Sequence, residues 1–159
     1  MTTAADLEYV TELLTIRDSY LAATPRQRLS IIRQRIANPG AGPNRLVTAV
    51  SAVEALARTL CLHQKARSRN ELRKLYGRYK DRDPKTLVQE YLKSKSVSAP
   101  EDHFGAETWR LFKHAVDYRN LLVHECSFLG QDKYPQLILA CEAVLDNLAK
   151  LGHVPERGA

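Results

Sequence analysis

Residues 105–125 read GAETWRLFKHAVDYRNLLVHE. Trp109, Phe112, Val116 and then Leu122 or Val123 recur every three to four positions, the spacing of one apolar helix face. Charged and polar side chains fill the positions between them. The stretch is therefore a long amphipathic helix that needs other elements to cover its stripe. Whether the rest of the chain supplies helices or strands decides the fold.

The same period recurs on both sides. Residues 6–23 place Leu7, Val10, Leu13, Leu14, Ile16 and Leu21 mostly three or four apart, which predicts a first amphipathic helix. Thr24 and Pro25 form an N-cap and first-turn pair for a second helix, with Leu29, Ile32 and Ile36 on one face. That helix stops at NPGAGP, residues 38–43. A third helix runs over 44–65 with Leu46, Val50, Val53, Ala57 and Leu60 as its stripe. A short helix is expected around 70–79, broken near Gly77 and the turn at 81–84. Pro84 opens another short one bearing Leu87, Val88, Tyr91 and Leu92. Residues 94–102 read as a loop. After CSFLGQDKYP, a last helix spans 135–151 with Leu137, Cys141, Val144 and Leu148 inward. No segment alternates with period two. The expected fold is an all-α, up-and-down helical bundle of four to five long helices plus one or two short ones, in a single domain over 1–159 with a frayed tail at 154–159.

Composition narrows the function classes. The chain has 159 residues, 44% hydrophobic and 26% charged, as expected of a globular domain with a real core. No apolar run reads as a transmembrane segment, and the N-terminus lacks the basic-then-apolar pattern of a secretory signal. Cys61, Cys126 and Cys141 are an odd, widely spaced set, which points to buried thiols in a reducing compartment, with cytoplasm as the expected location. The net charge is +6, and it is concentrated in one place. Residues 58–85 hold ten basic side chains against Glu71, Asp81 and Asp83, with Tyr76 and Tyr79 interleaved. Arg67, Arg69, Arg73, Lys74, Arg78 and Lys80 are the candidates for contact with a phosphate backbone. A solvated helix face is the plainer reading of the same run.

Chemistry is concentrated in RNLLVH, residues 119–124. Arg119 is a permanent cation with a planar donor fork, suited to a phosphorane-like transition state. His124 titrates near neutral pH and serves as general base or acid. Asn120 donates to a phosphate oxygen or orients His124. Together they suit metal-free cleavage of RNA, in which the ribose 2′-hydroxyl attacks the adjacent phosphodiester. No metal and no cofactor is called for. Spacing alone is weak: Arg58-TLCL-His63 repeats it, and chance supplies about one such pair in a chain of this composition. On an ideal helix these positions lie roughly 140° apart. A working site therefore needs either a helix that ends before His124 or two chains meeting across a two-fold axis.

WRLFKHAVDYRNLLVHE resembles the signature helix of the HEPN superfamily, in which Arg, a polar residue, a few mainly apolar residues and His follow in order. The resemblance puts these roles on Arg119, Asn120 and His124. It implies a small helical bundle, a homodimer with a composite cleft, and a metal-independent endoribonuclease of the toxin–antitoxin or defence kind. Products would carry 2′,3′-cyclic phosphate and 5′-hydroxyl ends, and an antitoxin-like protein partner would restrain the activity. Where partner-modified members carry Tyr two residues after the His, this chain has Cys126. The alternative is a non-catalytic HEPN-like module that binds a protein, a nucleotide or RNA.

Other residues carry weaker readings. Glu54 is either an exposed partner of Arg58 one turn on, or packs behind the motif and fixes Arg119. Tyr118 stacks on a base or seals the bundle. His114 reads as a half-exposed helix residue. The pairs Cys61-x-His63 and His124-x-Cys126 turn their side chains roughly 200° apart on a helix and chelate poorly. No P-loop or nucleophile elbow is present, and membrane-surface binding by the basic segment lacks an apolar face.

Overall fold

A computed structural model describes residues 4–37, 40, 42–124 and 131–155. Among them are eight α-helices and no strand: α1 (Ala4–Ala22), α2 (Pro25–Ala37), α3 (Asn44–Lys65), α4 (Arg69–Tyr79), α5 (Pro84–Ser94), α6 (Pro100–Phe104), α7 (Ala106–His124) and α8 (Tyr134–Leu151). The protein is an all-α helical bundle. Half of the NPGAGP breaker, the side chain of Leu13, Glu125, Cys126 and the end of the tail lie outside the described residues.

α3 is the axis of the bundle. It packs against α2, α5, α7 and α8, and α7 packs along α8. Its stripe is buried throughout: Leu46, Val50, Val53, Leu56, Ala57 and Leu60. Trp109, Phe112 and Val116 of α7 close over it, and Leu137, Cys141, Val144, Leu145 and Leu148 of α8 complete the core. α3 is the described helix long and apolar enough to cross a bilayer, although its sequence suggested no such span. Its apolar side chains are consumed by the core, and Glu54 and Arg58 interrupt it with an ion pair.

Local signals explain the helix ends. Thr24 and Gln27 form a reciprocal capping box: Gln27 N–H donates to Thr24 Oγ1 (3.2 Å) and Thr24 N–H to Gln27 Oε1 (2.8 Å). Ser68 caps α4 by accepting from Glu71 N–H, and Asp83 caps α5 with Pro84 in the first turn.

Three expectations need correction. Gly77 does not break α4, which continues to Tyr79 because Tyr79 is buried and anchors the last turn. The loop expected over 94–102 contains the start of α6, where Pro100 presets the first turn and Glu101 and Asp102 favour its positive end. There are thus three short helices. Gly105, at φ +91°, separates α6 from α7 in a conformation that side chains rarely adopt.

The third correction concerns α1, which does not bury an apolar stripe. Leu7, Val10, Leu14 and Ile16 are 44–60% exposed, and of α1's described side chains only Leu21 is buried. Spacing is not the reason: Leu7, Val10, Leu14 and Leu21 fall within roughly 60° of one another on a helix, and Val10, Leu14 and Leu21 line an open cleft. α1 rests mainly on α4.

Candidate active site

The motif lies on the last turns of α7. Leu122 is its inward residue, while Leu121 and Val123 are exposed at 48% and 54%, which settles the sequence's choice between Leu122 and Val123. Tyr118 is half-buried and packs on the core, the sealing reading rather than a free stacking platform. Asn120 is half-buried and its side chain makes no hydrogen bond to the described residues, and His124 is exposed at the end of α7. α7 is helical through His124, so the helix does not end ahead of it. Arg119 and His124 therefore leave the helix in different directions within one protomer.

Arg119 is held from behind. Its Nη1 lies 3.1 Å from Glu54 Oε2, and the two side chains are 18% and 19% exposed. Glu54 Oε1 simultaneously accepts from Arg58 Nη2 at 2.5 Å. Arg58 reaches further: Nη2 also donates to Lys80 O (3.3 Å) and Nε to Tyr79 O (3.5 Å). One carboxylate on α3 thus bridges two guanidiniums, and through Arg58 it ties the end of α4 to the motif of α7. Both sequence readings of Glu54 hold, the i,i+4 pair and the clamp on Arg119, but Glu54 is not an exposed surface acid. Three charges sharing one half-buried site are held by mutual pairing, and removing the carboxylate would leave two cations desolvated together. The Nε of Arg119 is buried and has no acceptor.

The second Arg–His pair is built differently. His63 is half-buried, and its Nε2 lies 3.2 Å from Leu21 O, which requires that nitrogen to carry the proton. Cys61 Sγ points to Leu87 O on α5 (3.7 Å), so Cys61 and His63 diverge. Burial raises the thiols of Cys61 to about 11 and Cys141 to about 12, and both are free. Cys126 lies outside the described residues, as does any site it would complete. Among the described residues, no three His, Cys, Asp or Glu side chains gather as a metal site.

The basic segment divides. Arg73 is paired with Asp18, and Arg82 with Glu90. Lys85 pairs with Asp117 of α7, which the sequence had not suggested. Arg67, Lys74 and Arg78, with Lys65, line an open groove of about 350 Å³ along α4, and Arg69 and Lys80 are exposed. Of the six candidates, five are therefore open to solvent without a carboxylate on the side chain, while Arg73 is engaged. His114 is exposed, and Arg110 pairs with Glu107 rather than with it.

Compared with protein-family models, curated proteins and solved structures, the chain matches none. What the fold and the site define is a class by construction: an all-α bundle in which a carboxylate of the central helix joins two arginines from different parts of the chain.

Proposed function

We propose that the protein is a metal-independent endoribonuclease of the HEPN type, working as a homodimer in the cytoplasm. The observation that carries this reading is the Glu54 bridge, which preorganises the Arg119 guanidinium and links it to the end of the basic segment at Lys80. In the reaction, His124 accepts the proton of a ribose 2′-hydroxyl while the freed oxygen attacks phosphorus. Arg119 stabilises the added negative charge, the 5′-oxygen leaves and takes up a proton, and a 2′,3′-cyclic phosphate and a 5′-hydroxyl result. Asn120 positions the phosphate or the imidazole. The groove bearing Arg67, Lys74 and Arg78 recruits the RNA backbone. Dimerisation is required because one helix cannot aim Arg119 and His124 at one phosphate, and the exposed Leu121 and Val123 flanking the motif supply apolar surface for it. An activity of this kind needs restraint, and a toxin or defence effector with an antitoxin-like protein partner fits it.

A second reading has its own observation. Arg119 is more than four-fifths covered and already ion-paired, as in a module whose motif stabilises the fold and whose partner is a protein, a nucleotide or RNA. One experiment decides. Purified protein is incubated with RNA in EDTA, alone and as Arg119→Ala, His124→Ala and an equimolar co-refolded mixture of the two. Cleavage by the wild type, none by either variant, and recovery of about a quarter in the mixture is the expected result, because about half of the dimers are mixed and each of these holds one intact composite site of two. No cleavage by the wild type leaves the binding module, and equal cleavage by His124→Ala removes His124 from the mechanism.

A further inference from the structure

The strongest unexplained feature lies away from the motif. A cleft of about 550 Å³ opens between α1, α2, α3 and α4, within the size range of small-molecule sites. Its walls are largely apolar, with Val10, Leu14 and Leu62 among them, and α1 leaves Val10 and Leu14 nearly half exposed there. Against this wall stand Arg17, Arg28 and Arg58.

Two of the three cations have no carboxylate partner among the described residues. Arg17 sits over the Tyr76 ring at 5.8 Å and Arg28 over the Tyr20 ring at 4.6 Å, and among the described residues neither has a carboxylate partner. Arg58 uses Nη2 and Nε for Glu54, Lys80 and Tyr79, and its Nη1 makes no hydrogen bond. Burial lowers the pKa of Arg28, and Arg58 lowers it further, while Tyr20 and Tyr76 oppose the change. Arg28 and Arg58 therefore both border one partly desolvated cleft, where Arg28 has no carboxylate partner among the described residues and Arg58 shares Glu54 with Arg119. An apolar trough ending in such a pair has the chemistry of a receptor for a molecule with an apolar tail and an anionic head.

We propose that this cleft binds a small amphiphilic anion, an acyl-chain carboxylate or phosphate, with its head between Arg28 and Arg58 and its chain along Val10, Leu14 and Leu62. Arg17 borders the head. The cleft also explains why α1 keeps its apolar residues open instead of packing them. The site shares Arg58 with the Glu54 bridge but uses neither Arg119 nor His124.

The test is calorimetric titration of the full chain with dodecanoate and with dodecyl phosphate, both below their critical micelle concentrations. Dodecanol, acetate and inorganic phosphate serve as controls. Either long-chain anion should bind with one-to-one stoichiometry, and whichever binds tighter identifies the head group. The controls should bind at least tenfold more weakly. Arg28→Gln should weaken binding about tenfold, the loss of one charge-assisted contact, with the thermal midpoint recorded to confirm folding. Leu14→Asp should do the same from the tail end, while Lys74→Gln should leave binding unchanged. No saturable binding by the wild type, or equal binding by folded Arg28→Gln, overturns the proposal. Binding that follows chain length alone, with dodecanol equal to dodecanoate, also overturns it. Titrating His124→Ala as well separates this site from the proposed ribonuclease, since binding should persist there whether or not RNA is cut.

Discussion

Arg58–His63 and Arg119–His124 share residue types, spacing and helical setting, yet the molecule uses them in different ways. Both arginines end on Glu54. Their histidines part company: His63 is half-buried and bonded to the backbone of α1, whereas His124 is exposed at the end of α7. The five-residue step separates Arg from His by roughly 140° within each pair and does not distinguish the two histidines. The difference teaches that spacing identifies neither pair as a site. A fixed imidazole with one nitrogen committed to a carbonyl is a structural group, while an exposed one with no partner among the described residues is available to a substrate.

The largest expected effect breaks the comparison at the histidines. On the proposed function, His124→Ala lowers RNA cleavage by about 10²–10⁴-fold, the usual contribution of a positioned acid or base. His63→Ala leaves cleavage within about twofold but costs roughly 1 kcal/mol of stability through the lost contact to Leu21 O. Single-turnover cleavage beside thermal melts reads both, and a reversed pattern would make Arg58–His63 the site.

Next comes the carboxylate the pairs share. Glu54→Gln keeps the shape but leaves Arg58 and Arg119 without a counter-charge. With all three side chains 16–19% exposed, the full cost of a deeply buried pair is discounted to about 2–3 kcal/mol, a fall in melting temperature of about 5–10 °C. Adding Arg119→Gln to Glu54→Gln should recover part of that loss. Additive losses in urea or thermal unfolding would mean that the two side chains do not interact.

How much of this could be read from the chain depends on the range of the cause. Helix type was legible throughout, because α3, α7 and α8 carry stripes whose period is local. Pro84 and the Thr24–Pro25 pair marked helix starts by equally local chemistry. α1 was expected to bury its stripe because Leu7, Val10, Leu14 and Leu21 share a face, and no local pattern says whether another element covers that face. α6 was missed because five residues carry too short a pattern to show a period. For the site, Arg119, Asn120 and His124 could be singled out as candidates. That Glu54 serves two arginines at once, or that Lys85 answers Asp117, depends on contacts between residues far apart in sequence, and no pattern along the chain encodes those.

A thiol sharpens the comparison from inside the first pair. Cys61 lies between Arg58 and His63 and is buried, so a maleimide should label neither it nor Cys141 until the protein unfolds, as read by peptide mass mapping. Its folded pKa of about 11 stands above the ordinary value of 9. A raised pKa means that the folded state keeps a proton which the unfolded chain releases. The associated stability is therefore fully present below about pH 9 and is lost as pH climbs towards 11. Cys61→Ala should flatten that alkaline decline, and an unchanged slope would assign it to other groups, Tyr91 among them.

The smallest effect concerns how each arginine connects to the basic segment. Arg58 begins that segment and is bonded to its end at Tyr79 and Lys80, so charge removed nearby could act on RNA directly or through the Glu54 bridge. Lys74 and Arg73 separate these routes. Lys74 lines the open groove and Arg73 is tied to Asp18. If the groove recruits RNA as a phosphate track, Lys74→Gln weakens binding only a few-fold. It should reduce the slope of log affinity against log salt by about one, with cleavage at saturating RNA unchanged. Arg73→Gln removes a charge already neutralised by a neighbour, so its salt slope should move less while the α1–α4 contact loosens. Filter binding across a salt series distinguishes them. Equal slopes for both variants and the wild type would mean that the positive charge of α4 faces solvent without a nucleic-acid role, leaving Arg119 and Asn120 as the contacts that hold substrate.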